Sequence, residues 1–173
     1  HAHVERLARE KAAAVATRHP GALVLAGDTV VVLDGEILGK PRDPGHARAM
    51  LHRLSGREHL VVTGLALACP EPGGAGAPFP PGHDRPPPAS QQGFVLSRWD
   101  EARVVFRTLD EADIEGYLAT EEPLDKAGGY GIQGIAAIFA ARLEGSYSGV
   151  MGLPLFETVQ ILAAIGVRSR WGV

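Results

Sequence analysis

The sequence is poor in features that mark several common classes of protein. Its single cysteine, Cys69, excludes an internal disulfide, and no apolar run approaches the length that crosses a membrane. The chain has 17 Lys and Arg residues against 20 Asp and Glu, and no basic run of the kind that binds nucleic acid. We therefore expect a protein of a reducing, soluble compartment, the cytoplasm, with no nucleic-acid partner and no membrane partner.

Signatures of several enzyme classes are also missing. The seven histidines show no spacing typical of metal ligands, and Cys69 has no neighbour that would activate it as a nucleophile. Ser146 and Ser148 lack the Gly-x-Ser-x-Gly context of a hydrolase nucleophile. We interpret these side chains as structural or exposed.

The chain length and the periodicity of its apolar residues predict a mixed architecture. A chain of 173 residues suits a single globular domain over 1–173. Helical spacing over 4–18 precedes a strand over 22–33, a turn at Asp34-Gly35 and a return strand through Leu38. Asp43-Pro44 is typical of a helix start, Thr108-x-x-Glu111 predicts a capping box, and 135–143 predicts an apolar strand. We expect an α/β or α+β fold around a mixed sheet.

Residues 69–93 form a stretch rich in proline and glycine. Its central part, 70–88, holds most of the 13 prolines of the chain. Such a composition does not pair or pack as a regular element. We expect a flexible insertion between two strands and assign it no chemistry.

Asp28 lies in an apolar strand, where an unpaired carboxylate is costly to desolvate. A two-residue turn at 34 and 35 sets Lys40 opposite Thr29, and alternation of side chains then places Lys40 and Asp28 on opposite faces. Three explanations stay open for Asp28: a nearby cation such as Lys40 or Lys11, a bound divalent metal, or simple solvation at the strand end.

Two further features have both an ordinary and a functional interpretation. Lys11 sits within an apolar helical stripe, where it either extends its ammonium to water or pairs with a functional group. The glycine-rich segment 125–134 is either a plain connection or a backbone surface for a ligand, with Lys126 against a phosphate. The amide of Gln133 matches the N–H and carbonyl groups of uracil or thymine with two hydrogen bonds.

A series of short motifs then points to a known family. In order along the chain they are Leu7-Ala-Arg-Glu-Lys-Ala12, Gly27-Asp-Thr-Val-Val31, Gly39-Lys-Pro41, Met50-Leu51, Leu54-Ser-Gly56, Val62-Thr-Gly64, Asp125-Lys-Ala-Gly-Gly-Tyr-Gly-Ile-Gln-Gly134, Gly145-Ser-Tyr147 and Gly152-Leu-Pro-Leu155. This succession resembles the Maf family of nucleotide pyrophosphatases nearly from end to end.

The resemblance implies hydrolysis of a nucleoside triphosphate to the monophosphate and pyrophosphate, with a divalent metal cation, magnesium or manganese. It also implies an α/β fold with a mixed central sheet flanked by helices, two lobes around a cleft as in inosine triphosphatases, and a homodimer. By position, Asp28 resembles the proton acceptor of the family, and Lys40 and Lys11 its phosphate-facing lysines. Asp28 either takes the proton itself or holds the metal whose bound water attacks. Thr29 and Gln133 resemble the base-selecting pair of the branch that acts on dTTP and UTP.

The sequence departs from the family at its start. The opening strand of the family and its Ser-x-Ser-Pro-Arg-Arg segment are not found in this sequence. The resemblance implies that the arginines of that segment clasp the phosphates. We therefore expect an N-terminally truncated chain that is weakly active or inactive. Two alternatives remain: a non-catalytic nucleotide-binding regulator linked to cell division and septum formation, and an aspartyl-phosphate phosphatase. The second is disfavoured because Val30 stands where that mechanism needs a second acid.

Overall fold

The computed structural model describes residues 1–19, 21–68 and 95–167. Its helices and strands are α1 (Ala2–Ala16), β1 (Val24–Leu33), β2 (Glu36–Leu38), α2 (Pro44–Leu54), β3 (Glu58–Ala68), β4 (Val95–Phe106), α3 (Glu111–Leu118), β5 (Ala140–Glu144), α4 (Tyr147–Val150) and α5 (Leu155–Ala163). This order confirms the mixed α/β class. Over the described ranges, no helix combines the length and the apolar character needed to span a membrane. The predicted insertion at 69–93 lies outside the described residues, and the single domain over 1–173 stays a prediction.

The strands form one five-stranded sheet in the order β2-β1-β3-β4-β5. β1 and β2 pair antiparallel with Val31 opposite Leu38 and Leu33 opposite Glu36, which confirms the register predicted from the turn. Asp34 and Gly35 both have positive φ, 54° and 78°, as the tight turn of a two-residue hairpin requires. Regular pairing with β2 thus ends at Val31, so Asp28 lies on β1 beyond it.

The chain divides into two compact units, and β1, β3 and β4 contribute residues to both. The first unit takes its described residues from 1–28, 64–99 and 153–173. Small side chains allow α1 to pack closely there: Ala8 and Ala12 form a buried cluster with Ala66 and Ala68. At Gly64 a Cβ atom would lie 2.5 Å from the Val4 carbonyl carbon, so only glycine permits this approach of β3 to α1.

The second unit comprises 29–63 and 100–152 and contains the larger apolar core. Aliphatic side chains from β1, β2, α2 and β3 meet the aromatic rings of Phe106, Tyr117, Tyr130 and Phe139 in this core. The rings pack edge to face, with Phe106 and Tyr130 centroids 4.7 Å apart.

Two local predictions are wrong. The cap of α3 is Asp110, whose carboxylate accepts from the Asp113 backbone N–H, and Asp113 accepts in return from the Asp110 N–H. This pair satisfies the helix start in place of the predicted box at Thr108 and Glu111. The predicted strand over 135–143 instead begins with a 3-10 helix, Ile135–Phe139, and becomes extended only at Ala140.

Candidate functional site

Asp28 is compensated by Lys11. The Lys11 Nζ donates to Asp28 Oδ1 at 2.6 Å and to the Gly27 carbonyl oxygen at 3.3 Å. The Asp28 side chain is only 14% exposed, whereas that of Lys11 is 54% exposed. Lys11 stands next to the buried Ala12 on α1, so the packing of this helix in the first unit brings the ammonium to the carboxylate. Of the explanations left open by the sequence, the structure provides a cation, and that cation is Lys11.

Lys40 lies just beyond β2 and is exposed. The preceding residue, Gly39, accepts a hydrogen bond from the Gly128 N–H at 3.0 Å, which ties this end of the hairpin to the glycine-rich segment. Lys126 Nζ donates to the Asp125 carboxylate at 2.9 Å. This bond, together with the charges of Lys126 and Lys40, lowers the pKa of Asp125 below its usual value. In the second unit, the exposed Asp125 carboxylate is thus bonded to Lys126, and the Lys40 charge also acts on it.

The glycine-rich segment makes close contacts with the rest of the second unit. Gly128 has a φ of 68°, and a Cβ atom there would lie 2.8 Å from Val31 Cγ2. A side chain would therefore push this segment away from β1 and strain its backbone. Gly128 is therefore required for packing against β1, whether or not a ligand approaches the segment.

Gln133 is exposed on a turn closed by a hydrogen bond from the Gly134 N–H to the Gly131 carbonyl oxygen, 3.0 Å. The Glu122 carboxylate lies against this turn: Oε2 accepts from the Ile135 N–H at 3.1 Å, and Oε1 accepts from the Tyr117 hydroxyl at 2.9 Å. The Tyr117 oxygen in turn accepts from the Gly131 N–H at 3.3 Å.

Both sides of Gln133 are therefore held by one Tyr–Glu pair, which the sequence analysis missed. The sequence gives only a weak indication of this Tyr117–Glu122 pair. Tyr117 lies on the apolar stripe of α3, where its position is typical of a core residue, and Glu122 precedes a proline in a polar stretch with no pattern of its own.

Thr29 is half-buried on β1, and its Oγ1 lies 2.8 Å from Thr63 Oγ1. Thr63 is 1% exposed on β3, and its hydroxyl donates to the Gly149 carbonyl oxygen at 2.8 Å. This chain of three groups joins β1, β3 and α4 within the second unit. Sequence reasoning assigned a role to Thr29 alone, because Thr63 sits in an apolar strand and its motif, Val62-Thr-Gly64, suggested no chemistry of its own.

Tyr130, in the middle of the glycine-rich segment, is buried against His59. The Tyr130 hydroxyl lies 2.7 Å from His59 Nε2, and His59 is 2% exposed. Burial lowers the pKa of His59 to about 4 and raises the pKa of Tyr130. Both side chains are therefore neutral near pH 7.

The carboxylates of the described residues offer a divalent metal few ligands. Within the described ranges, no three His, Cys, Asp or Glu residues come together as a group that could hold a metal. Magnesium, however, is commonly held by one or two carboxylates together with the phosphates of a substrate. The shielded carboxylate of Asp28 fits that second arrangement.

Comparisons with known proteins find one family and relatives that share one name. The family described as "Maf-like protein" matches residues 1–165. The dTTP/UTP pyrophosphatase of Myxococcus xanthus is 47% identical over 98% of this chain and 75% of its own length. That of Syntrophus aciditrophicus is 44% identical over 95% of the chain and 70% of its own length. The dTTP/UTP pyrophosphatase of Escherichia coli K12 is 44% identical over 93% of this chain and 71% of its own length.

Proposed function

The chain belongs to the Maf family, and from this premise we propose that it is a nucleoside triphosphate pyrophosphatase acting on dTTP and UTP. The reaction hydrolyses the bond between the α and β phosphates and releases the nucleoside monophosphate and pyrophosphate. The observation that carries the proposal is the shielded carboxylate of Asp28, held by Lys11 at 2.6 Å. The relatives named dTTP/UTP pyrophosphatase, similar over nearly the whole chain, support it.

Asp28 is the proton acceptor in this proposal. A carboxylate that is fixed and largely removed from water is suited to orient an attacking water and to accept its proton. Lys11 fixes the carboxylate through Oδ1, and the pair leaves half of the Lys11 side chain accessible to a substrate.

The remaining lysines face the phosphates. A triphosphate carries several negative charges, and positioned ammonium groups stabilise the charge that develops on the transferring phosphoryl group. Lys40 and Lys126 are close enough to act on the same carboxylate, Asp125, and a phosphate chain would replace that carboxylate as their partner.

Thr29 and Gln133 select the base. Gln133 is exposed on a turn held from both sides, and Thr29 is half-buried with its oxygen fixed by Thr63. A primary amide and a hydroxyl can together match the N–H and carbonyl groups of uracil and thymine.

A divalent cation, magnesium or manganese, completes the proposal. Asp28 would hold it together with substrate oxygens, and when bound it would supply neutralisation of the phosphate charge. We further propose that the protein works in the cytoplasm as a homodimer without nucleic acid or membrane partners.

Product analysis tests the reaction. A form of the protein extended at its N-terminus by the Ser-x-Ser-Pro-Arg-Arg segment of the family would be offered UTP, dTTP, CTP and GTP separately, with magnesium or manganese. Pyrophosphate and monophosphate from UTP and dTTP are the expected products. Orthophosphate would contradict the proposal in favour of a phosphatase, preference for GTP would contradict the base selection only, and nucleotide binding without product would favour a non-catalytic regulator.

Substitution of the proton acceptor tests the site. Asp28→Asn is expected to lower turnover of UTP by about 100-fold or more, because an amide cannot accept the proton. Asp34→Asn is the matched control: it changes an exposed aspartate of the same hairpin, paired with Arg57, and should leave turnover unchanged. Thermal unfolding would verify that both variants fold. Undiminished pyrophosphate release by Asp28→Asn would refute the role.

A further inference from the structure

We propose that Thr63 makes Thr29 an obligatory hydrogen-bond acceptor, and that Thr29 thereby selects bases that carry a proton on N3. This inference rests on the proposed function and deepens it, since it assigns a polarity to the base-selecting pair. Thr63 is a positioning residue in this scheme, because it acts on the base through Thr29.

The polarity follows from a count of protons. A carbonyl oxygen cannot donate, so the 2.8 Å contact between Thr63 Oγ1 and the Gly149 oxygen uses the only hydroxyl proton of Thr63. Thr63 Oγ1 then has only lone pairs for Thr29. The 2.8 Å contact between the two hydroxyls is therefore a hydrogen bond donated by Thr29.

Burial fixes this arrangement. Thr63 is 1% exposed, so water does not compete for its proton, and reversal of the chain would bring the lone pairs of the Thr63 hydroxyl and the Gly149 carbonyl together at 2.8 Å. Thr29 is half-buried, and the part of its oxygen that remains available presents lone pairs. Any group of a substrate that meets this oxygen has to be a donor.

The pyrimidine bases differ in whether N3 carries a hydrogen. Uracil and thymine carry a hydrogen on N3 between two carbonyl groups, whereas N3 of cytosine carries a lone pair. Gln133 alone does not separate them, because rotation of its exposed amide exchanges the donor and the acceptor. With N3 of the base at this oxygen, a fixed acceptor at Thr29 does separate them. It accepts the N3–H of uracil or thymine, which leaves the Gln133 amide to donate to a neighbouring carbonyl, and it opposes the lone pair of cytosine.

Thr63→Val tests the inference. The variant keeps the shape of the side chain but frees the hydroxyl proton of Thr29, which can then turn toward the base and donate to cytosine N3. The preference for uracil over cytosine is expected to fall about tenfold, the usual effect of an unsatisfied buried polar contact. Thr63→Ser retains the hydroxyl and should retain the preference.

A matched control separates polarity from loss of stability. Thr158 is a second buried threonine, on α5, whose hydroxyl donates to the Pro154 carbonyl oxygen at 2.8 Å. Thr158→Val removes a comparable bond and should leave the preference unchanged.

The experiment measures binding, so that it does not depend on turnover. Affinities for the α,β-methylene analogues of UTP and CTP, whose α–β linkage is not cleaved, would be measured by calorimetry for the protein and the three variants. A reduced UTP-to-CTP preference in Thr63→Val alone is the expected result. An unchanged preference in a folded Thr63→Val would overturn the inference. Failure of the proposed function would appear separately, as binding of both analogues without pyrophosphate from UTP.

A second pair of variants covers the case in which Thr63→Val does not fold. Thr29→Ser keeps the acceptor and Thr29→Val removes it, at a position that is only half-buried. Preference retained by Thr29→Ser and reduced by Thr29→Val is expected. Preference retained by both would overturn the inference, because Thr63 can act on the base only through Thr29.

Discussion

The ion pair of Asp28 and Lys11 joins a residue of β1 to a residue of α1, so the partner of Asp28 is not found in its own hairpin. The hairpin register is local, and it correctly places Val31 opposite Leu38 from the turn residues alone. The partner of Asp28, by contrast, comes from α1, and its position depends on how the alanine face of that helix packs. The sequence therefore predicted the candidate residues, but it left the choice between Lys11 and Lys40 open.

Removal of the Lys11 charge is expected to impair turnover more than stability. Lys11→Met should lower the free energy of unfolding by only about 0.5 to 1 kcal/mol, because half of the lysine side chain is exposed to solvent. Turnover of UTP should fall at least about tenfold, since Asp28 loses its fixed orientation and the substrate loses a cation. Steady-state kinetics and urea unfolding at pH 7 measure the two effects.

Two further substitutions complete this test. Lys11→Arg keeps the charge and should recover part of the turnover. Arg6→Met removes an exposed charge of the same helix, one paired with Glu10, and should change neither quantity. Turnover of Lys11→Met equal to that of the parent protein would show that the pair has no part in the reaction.

At the scale of elements, predictions succeeded where neighbouring residues decide the structure. The turn at Asp34-Gly35 and the start of α2 at Asp43-Pro44 both follow from local chemistry, and Asp43 does accept from the His46 N–H at 2.7 Å. The prediction for the start of α3 was wrong because two candidate capping pairs are offset by only two residues, and Asp110 with Asp113 satisfies the helix better than Thr108 with Glu111. The bidentate bond from Arg107 to Asp113, which the sequence does not reveal, reinforces that choice.

The strand predicted for residues 135–139 was wrong for a different reason. A short apolar run is compatible with a buried strand or with a helical turn, and periodicity alone does not separate them. The anchoring of the Ile135 N–H by Glu122 starts a 3-10 helix there, and Ala136 and Phe139 then share its buried side. This contact joins residues 13 positions apart and lies beyond any local pattern.

Gly134 and Gly116 give a matched test of the turn that holds Gln133. A Cβ atom at Gly134 would overlap the Glu122 carboxylate, whereas one at Gly116 of α3 has open space around it. Gly134→Ala should lower the free energy of unfolding by about 1 to 3 kcal/mol, because the carboxylate has to move. Gly116→Ala should raise it by up to about 1 kcal/mol through helix propensity.

Urea unfolding of both variants measures these changes, and UTP binding reports on the turn. Gly134→Ala is expected to bind UTP more weakly, because Glu122 and Gln133 share the turn, while Gly116→Ala binds normally. Equal stability changes of the same sign in the two variants would show that Glu122 does not fill the space next to Gly134.

The stability of the whole molecule depends on pH through a side chain outside the proposed reaction. His59 is buried between Phe106 and Tyr130, and its pKa falls from 6.5 to about 4 because burial disfavours the charged ring. Between these two values the unfolded chain binds a proton at His59 that the folded protein does not bind. Stability therefore decreases as the pH falls from about 6.5 to about 4.

Other groups with shifted pKa values affect the stability in a different pH range. The bond from Arg107 lowers the pKa of Asp113 from 3.8 to about 2, so the stability it contributes is complete above its unfolded value and is lost only at more acidic pH. A loss of stability between pH 7 and pH 4.5 consequently reports mainly on His59.

Urea unfolding at pH 7 and pH 4.5 would measure this dependence. From the two pKa values, His59 is expected to account for about 2 to 3 kcal/mol of the stability lost between these conditions. His59→Gln should be less stable at pH 7, because it disturbs the core and the bond to Tyr130, yet it should lose about that much less on acidification. His3→Gln, at an exposed position of α1, should retain the full pH dependence. If His59→Gln and the parent protein lost the same stability, the folded protein would have to accommodate a charged His59, which its apolar surroundings and its 2% exposure oppose.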